Sequence, residues 1–171
     1  MVKKMRINLR LKIKNFTIFF MASHTQTLRG IMSKTREGKH YVFFDIENKC
    51  LNEVLETLEY IQSKYCLSNM YIMSDCPKSF RVFCFNKVSF LHYIHILSDF
   101  QLGDMIDFNF IHWTIVRGKS TLRISNKKGR EKQKQVAILK SYYLPIPEEI
   151  EYVQYDTGIH KTGNTIIIKV L

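Results

Sequence analysis

The chain has 171 residues, of which 46% are hydrophobic and 24% charged, so it is long enough for one folded domain and too apolar to be disordered throughout. Its net charge of +11 favours a polyanionic partner, which means nucleic acid or an acidic membrane surface. The four cysteines lack CxxC and zinc-ligand spacing, which argues against a zinc site and favours free thiols in the reducing cytoplasm.

The positive charge is concentrated in two segments. Residues 1–39 hold ten Lys or Arg and one acid, and residues 117–134 hold eight Lys or Arg and one acid. We predict that residues 1–38 form a basic N-terminal arm, an extension or an added strand, and that residues 39–171 form a single domain. No membrane partner is expected, although an amphipathic anchor in residues 1–22 is an open alternative.

The predicted elements begin near residue 40, where the apolar run HYVFFDI is typical of a buried strand. Helical spacing of apolar residues then predicts an amphipathic helix from Leu51 to about Tyr65. Two further apolar runs, at 69–73 and 80–85, predict strands that pair as a hairpin across a turn containing a proline.

The second half of the domain continues with a helix from Ser89, its predicted N-cap, to Phe100. The apolar segment 106–116 predicts a strand, and a turn at Gly118 leads into another strand at 120–125. Two more strands are predicted at 135–143 and 165–171.

The resulting order, β-α-β-β-α-β followed by further strands, predicts an α+β fold. We expect a split β-α-β, RRM-like arrangement, with a mixed or antiparallel sheet, helices on one face, an open opposite face and additional C-terminal strands. The aromatic consensus that RNA-recognition modules carry in their second half is absent, so an ordinary module of that kind is disfavoured.

An acid pair ends the first predicted strand. Asp45 and Glu47 are two residues apart, so their carboxylates should project from the same face. A divalent cation would relieve their repulsion, and paired carboxylates of this kind hold magnesium in two-metal phosphoryl transfer. The alternative is that both residues simply leave the strand for solvent.

A second group surrounds the hairpin turn. Ser74 precedes it and Arg81 opens the following strand, so hydroxyl, amide and guanidinium groups could surround a triphosphate. An ordinary hairpin with a basic rim is the alternative.

The third group begins at Asp107, which could close a carboxylate cluster with Asp45 and Glu47. Arg123 lies between apolar neighbours, so it should project away from the core, where its planar fork suits phosphate. A solvated basic hairpin is the alternative. The basic residues predicted to contact nucleic acid are Arg117, Lys119, Lys128, Arg130 and Lys132.

Other motifs are less informative. His92 and His95 do not match HExxH, so we interpret them as surface or partly buried helix residues. Trp113 is either a core residue or a stacking platform. The sequence contains no P-loop, no GxGxxG and no GxSxG.

Taken in order, these groups resemble the archaeo-eukaryotic primase (primase-polymerase) superfamily over roughly residues 40–140. That family has an acid pair at the end of an apolar strand, here 43–47, and then a Ser-turn-strand motif, here 74–82. A third acid follows, here Asp107, and an Arg-containing strand, here 121–125, ends near a lysine. Each motif is short, and their order carries most of the resemblance.

The resemblance implies a replication protein of a mobile element or virus that performs metal-dependent nucleotidyl transfer. Asp45, Glu47 and Asp107 would be its catalytic residues and would bind Mg²⁺ or Mn²⁺. Its implied partners are a nucleoside triphosphate, a single-stranded DNA or RNA template, and other replication proteins such as a helicase. The residues implied in nucleotide binding are Ser74, Lys78, Arg81, Arg123 and Lys127.

Two positions depart from the family pattern. The acid pair is Asp-x-Glu instead of Asp-x-Asp, and Arg81 stands where the family has a histidine. Arginine binds phosphate but does not change protonation near neutral pH. A non-catalytic DNA- or RNA-binding module on the same fold is therefore the alternative function.

Overall fold

The computed structural model describes residues 6–13, 16–23, 26–126, 130–142, 152–157 and 166–168. These ranges contain ten strands and three helices, so the fold is α+β, as predicted. In chain order the elements are β1 Arg6–Ile13, β2 Phe16–Ser23, β3 Gln26–Met32, β4 His40–Glu47, α1 Leu51–Lys64, β5 Met70–Cys76, β6 Ser79–Val88, α2 Phe90–Leu102, α3 Phe108–Arg117, β7 Thr121–Arg123, β8 Lys134–Leu139, β9 Tyr152–Thr157 and β10 Ile166–Ile168.

The central sheet has four antiparallel strands in the order β4-β6-β5-β8. Because β6 lies between β4 and β5, the unit β4-α1-β5 is a split β-α-β, and β5 and β6 form the predicted hairpin. The RRM-like arrangement as a whole is not confirmed. The strand that follows the helices, β7, belongs to another sheet, and β8 fills the fourth place beside β5.

The helices pack on one face of this sheet. Side chains alternate along a strand, so Val42, Phe44 and Ile46 of β4 all point to that face. They share a buried cluster with Leu58 of α1 and Phe100 of α2. None of the helices in the described ranges is long and apolar enough to cross a bilayer.

The opposite face packs against a second antiparallel sheet, in the order β10-β9-β3-β7. Ile31 of β3 and Leu122 of β7 lie in one buried cluster with Tyr41, Phe43 and Phe83 of the central sheet. The prediction of an open face is therefore wrong here. β4 is apolar on both faces, and a strand of that composition needs cover on both.

The described residues of the predicted extension, 1–38, contain three strands. β1 and β2 pair antiparallel as a separate two-stranded sheet. β3 pairs with both β7 and β9, and its Ile31 is buried. At least this strand of the basic segment is thus packed against the rest of the chain.

The segment predicted as a strand at 106–116 is instead the helix α3. Asp107 caps its N-terminus, accepting a hydrogen bond from the backbone N–H of Asn109 at 2.9 Å. Gly118 ends it in the left-handed conformation, with φ of 63°. The prediction failed because most positions in this segment are apolar or aromatic, so the periods of a strand and of a helix both fit.

The close approach of β3 to β7 requires Gly30. A Cβ atom there would lie 2.7 Å from the carbonyl oxygen of Leu122 and 2.8 Å from Cγ2 of Thr121. We expect Gly30→Ala to lower the free energy of unfolding by about 1–3 kcal/mol, because the two strands must separate to admit the methyl group. Urea denaturation measures this change.

Gly103→Ala is the matched control, since a Cβ atom there would meet its nearest neighbour at 3.6 Å, an ordinary contact. Equal stability of the two variants would contradict the proposed crowding at Gly30.

Candidate functional site

A cavity of about 300 Å³ opens beside the edge strand β4. Its walls come from the end of β4, from α3 and from the segment that follows α3. This volume lies at the lower end of the range for small-ligand sites. The lining includes Asp45, Glu47, Asp107, Trp113, Arg117 and Lys119.

The three carboxylates that the sequence singled out therefore line the same cavity. Asp45 and Glu47 reach it from β4, two residues apart, as the strand period predicts. Asp107 reaches it from the N-terminus of α3 and not from a strand. The structure thus brings the three residues to one cavity, although the element that delivers the third carboxylate differs from the predicted one.

Asp107 is already engaged in holding the helix. Its Oδ1 accepts hydrogen bonds from the backbone N–H of Asn109 at 2.9 Å and from the side-chain amide of the same residue at 3.0 Å. An N-cap of this type stabilises a protein by about 1 kcal/mol. This carboxylate thus has a structural role that a metal ion would have to share.

Asp45 faces a guanidinium group. Its Oδ1 lies 3.7 Å from Nε of Arg81 and is buried without a hydrogen-bond partner in the described part of the chain. Burial raises the pKa of the Asp45 carboxyl above its ordinary value and outweighs the opposing charge of Arg81. The charged form of Asp45 is therefore incompletely stabilised.

A second carboxylate, Asp75, organises the arginines behind this wall. Its side chain is 0% exposed. It lies 3.3 Å from Nη1 of Arg81 and 3.2 Å from Nη1 of Arg130, and it accepts a hydrogen bond from Arg123. Arg130 also reaches Glu47 at 3.5 Å. Single guanidinium groups thus link Asp75 to both members of the predicted acid pair.

We call this group the ionic cluster. It comprises three carboxylates and three guanidinium groups, from Asp45, Glu47, Asp75, Arg81, Arg123 and Arg130. Their formal charges cancel. It joins three strands of the central sheet to β7 and to the segment before β8.

The sequence reasoning missed Asp75, which it placed in the hairpin turn. The strand β5 in fact continues to Cys76, and its pairing with β6 is irregular between Ser74 and Cys76. A bulge inserts an unpaired residue and re-aims side chains, which brings Asp75 to the arginines. An acid followed by a proline-containing turn gave no signal of burial.

Two predicted phosphate ligands are buried. The side chains of Arg81 and Arg123 are 6% and 7% exposed, so the expectation that Arg123 projects away from the core is wrong. The physical reason is Asp75, whose buried charge needs these partners. A nucleotide phosphate would have to compete with Asp75 for either guanidinium group.

Ser74 is separated from Arg81 by the sheet itself. It pairs with Phe80, whose side chain belongs to the helix-side core, whereas Arg81 pairs with Met73 and Asp45 on the other face. The Ser74 hydroxyl donates to the carbonyl of Cys76 at 2.7 Å. The structure does not bring these two predicted nucleotide ligands together.

The remaining predicted residues are more accessible. Lys78 is exposed in the hairpin turn, and Lys132 is exposed before β8. Arg117 and Lys119 line the cavity, and the Arg117 guanidinium lies 5.3 Å from the centre of the Trp113 ring. Two further predicted residues, Lys127 and Lys128, lie outside the described residues.

Buried hydrogen bonds fix the segment that carries Lys119. The hydroxyl of Tyr93 donates to the Phe43 carbonyl at 2.9 Å and lies 2.8 Å from the Ser120 hydroxyl. The Ser120 backbone N–H donates to the hydroxyl of Ser33 at 2.9 Å. Helix α2, strand β4 and the residue after β3 therefore hold Ser120, which lines the cavity, in place.

The residues present do not fit a three-carboxylate metal centre as they stand. Arginines lie against Asp45 and Glu47, and Asp107 caps a helix. Among the described residues, no three His, Cys, Asp or Glu side chains converge closely enough to hold a metal ion. The wall formed by α3 and the segment after it offers Arg117, Lys119 and the Trp113 ring, which suits an anionic ligand.

Comparison with known proteins identifies no relative: no family model, no curated protein and no solved structure matches this chain. The resemblance to primases stays a prediction from the sequence motifs.

The ionic cluster predicts a strong dependence of stability on Asp75. We expect Asp75→Asn to lower the free energy of unfolding by about 3 kcal/mol or more, because three guanidinium groups would lose their shared buried anion. Urea denaturation at pH 7 measures the loss. Asp104→Asn is the control, since Asp104 pairs with Lys49 but its side chain is 90% exposed.

The difference in the free energy of unfolding between wild type and Asp75→Asn should become smaller in acid. Burial alone would raise the pKa of the Asp75 carboxyl, but the hydrogen bond from Arg123 and the charge of Arg81 hold it below its ordinary value of 3.8. The stability from such a carboxylate is present above the unfolded-state pKa and is lost as pH falls through the folded-state pKa. A difference that stays constant below about pH 4 would contradict this account.

Proposed function

We propose that this chain is a nucleic-acid-binding protein of a replication system, in which a primase-like fold binds a DNA or RNA strand without catalysing its synthesis. The division of charges around the cavity carries the proposal. On the wall formed by β4, two of the three acids that would hold metal ions, Asp45 and Glu47, lie against arginines. On the other wall, formed by α3 and the segment after it and called the basic wall here, Arg117 and Lys119 line the cavity and outnumber the helix-capping Asp107.

The neutralised wall argues against catalysis. A divalent ion at Asp45 and Glu47 would lie beside Arg81 and Arg130, and like charges at this range disfavour each other. Moving those arginines away would leave the buried charge of Asp75 with Arg123 as its remaining cation among the described residues. Metal binding at this wall is therefore opposed by the protein's own cations.

The basic wall supports strand binding. Neither Arg117 nor Lys119 forms an ion pair within the described residues, so both can neutralise phosphates. Arginine binds a phosphate through two parallel hydrogen bonds and lysine acts as a point charge. With a net charge of +11, such contacts would release counterions and make binding salt-dependent. The expected ligand is single-stranded DNA or RNA in the cytoplasm, with a helicase or another replication protein as a further partner.

The first test is strand binding by the double variant Arg117→Ala/Lys119→Ala. We expect weaker binding of a labelled single strand, measured by fluorescence anisotropy across a salt series. The slope of log affinity against log salt should become shallower by about 0.7 for each phosphate that the variant no longer neutralises. An unchanged slope would contradict the assignment of these residues.

A matched control removes the same charge elsewhere. Lys134 and Lys140 are exposed on and beside β8, the edge strand opposite β4. Lys134→Ala/Lys140→Ala should retain more of the affinity and slope than the cavity variant. An equal loss in both variants would indicate binding by net charge alone, without a site at the cavity.

Metal-dependent nucleotidyl transfer is the second candidate function. One observation favours it, namely that Asp45, Glu47 and Asp107 line the same cavity as Arg117 and Lys119. If this function holds, the three carboxylates would bind Mg²⁺ or Mn²⁺, and the cations would bind the triphosphate of a nucleotide.

Metal titration separates the two candidates. Under the binding proposal, wild type and Asp45→Asn give the same weak response to Mn²⁺ in titration calorimetry, and neither incorporates labelled nucleotides on a single-stranded template. Tight Mn²⁺ binding and incorporation by wild type, both lost in Asp45→Asn, would overturn that proposal and establish the enzyme.

A further inference from the structure

Helix α3 carries a row of three rings, of which two are exposed and one is half-buried. The buried side chains of this helix are Ile111 and Thr114. Phe108 lies outside this set and is 67% exposed, and His112 is also exposed. Trp113 is half-buried at the cavity. A contiguous set of exposed rings is a feature of interaction surfaces.

The rings are continuous along the helix. Phe108 and His112 are stacked, with ring centres 6.3 Å apart and an interplanar angle of 24°. His112 meets Trp113 edge to face at 5.0 Å. The planar Arg117 guanidinium lies 5.3 Å from the Trp113 ring. The row thus runs from the exposed Phe108 ring at the N-terminal end of α3 to the Arg117 guanidinium at the other end.

We propose that this row is a stacking platform for unpaired bases, so that the protein prefers single strands to duplex. The inference rests on the proposed function, since it names the side chains that would contact the bases of the strand whose phosphates the basic wall receives. Bases of an unpaired strand stack on aromatic side chains and on arginine planes, whereas paired bases keep their faces inside the duplex.

The arrangement of charges favours a nucleic acid over an apolar occupant. Trp113 is the ring of the row that lines the cavity with Arg117 and Lys119, so a strand with a base on Trp113 would place phosphates beside both cations. The exposed aliphatic residues Ile115 and Val116 lie on the same helix. They make a second copy of the chain the competing occupant, which the test below includes.

The chain offers a direct probe, because Trp113 is its single tryptophan. Base stacking should quench its fluorescence. The ligands are a twelve-residue oligothymidine, a strand of the same length built from abasic units, and a duplex of equal length. The abasic strand keeps the phosphates and lacks the bases, so it separates stacking from charge. We expect quenching by oligothymidine alone and an affinity about fivefold or more above that for the abasic strand.

Phe108→Ala should reduce this preference for bases and leave binding of the abasic strand unchanged. Val116→Ala is the matched control, because Val116 is 60% exposed on the same helix and carries no ring. It should retain the wild-type preference. Both positions are exposed, so both variants should fold.

The outcomes distinguish the inference from the function beneath it. Equal affinity for oligothymidine and the abasic strand, without quenching, would overturn the platform and leave strand binding intact. Failure of wild type to bind either strand would overturn both. A light-scattering mass that falls from dimer to monomer in Phe108→Ala, with an unchanged preference for bases, would assign the face to a second copy instead.

Discussion

The rest of the site depends on one buried carboxylate. Asp75 has no access to solvent, and its charge is balanced by guanidinium groups from β6, β7 and the segment before β8. Burying a charge is costly unless it is paired, so these arginines are fixed in place by Asp75 and cannot serve as mobile phosphate ligands. Two of them also lie against Asp45 and Glu47. Asp75 therefore fixes the positions of the cations that face the acid pair at the cavity.

Part of the fold could be predicted, namely the elements whose apolar pattern was unambiguous. β4 and α1 show clear apolar patterns, and the Ser89 side chain accepts the expected capping hydrogen bond from the His92 backbone. α3 could not be predicted, since an apolar run satisfies both periods and only its cap and its terminal glycine distinguish the helix. The second sheet also escaped prediction, because β3 and β7 are far apart in the chain.

The site could be predicted only where it depends on local sequence patterns. The placement of Asp45 and Glu47 on one face follows from strand alternation, a local property of the sequence, whereas Asp107 reaches the cavity from a helix that the sequence did not predict. The burial of Arg81 and Arg123 depends on a bulge that re-aims one acid, and no pattern of residue types announces a bulge. The separation of Ser74 from Arg81 follows from the pairing register, which a single sequence does not reveal.

The charge balance of the ionic cluster also constrains how this protein can evolve. Replacing any one of its buried members leaves an unmatched charge, and such a loss takes several kcal/mol from a total stability of about 5–15 kcal/mol. A lineage could therefore exchange the arginines for neutral residues only through paired substitutions in which acid and base change together. A single substitution in the cluster is therefore selected against as long as its charged partners remain. The cluster should persist among descendants even where the surrounding surface diverges.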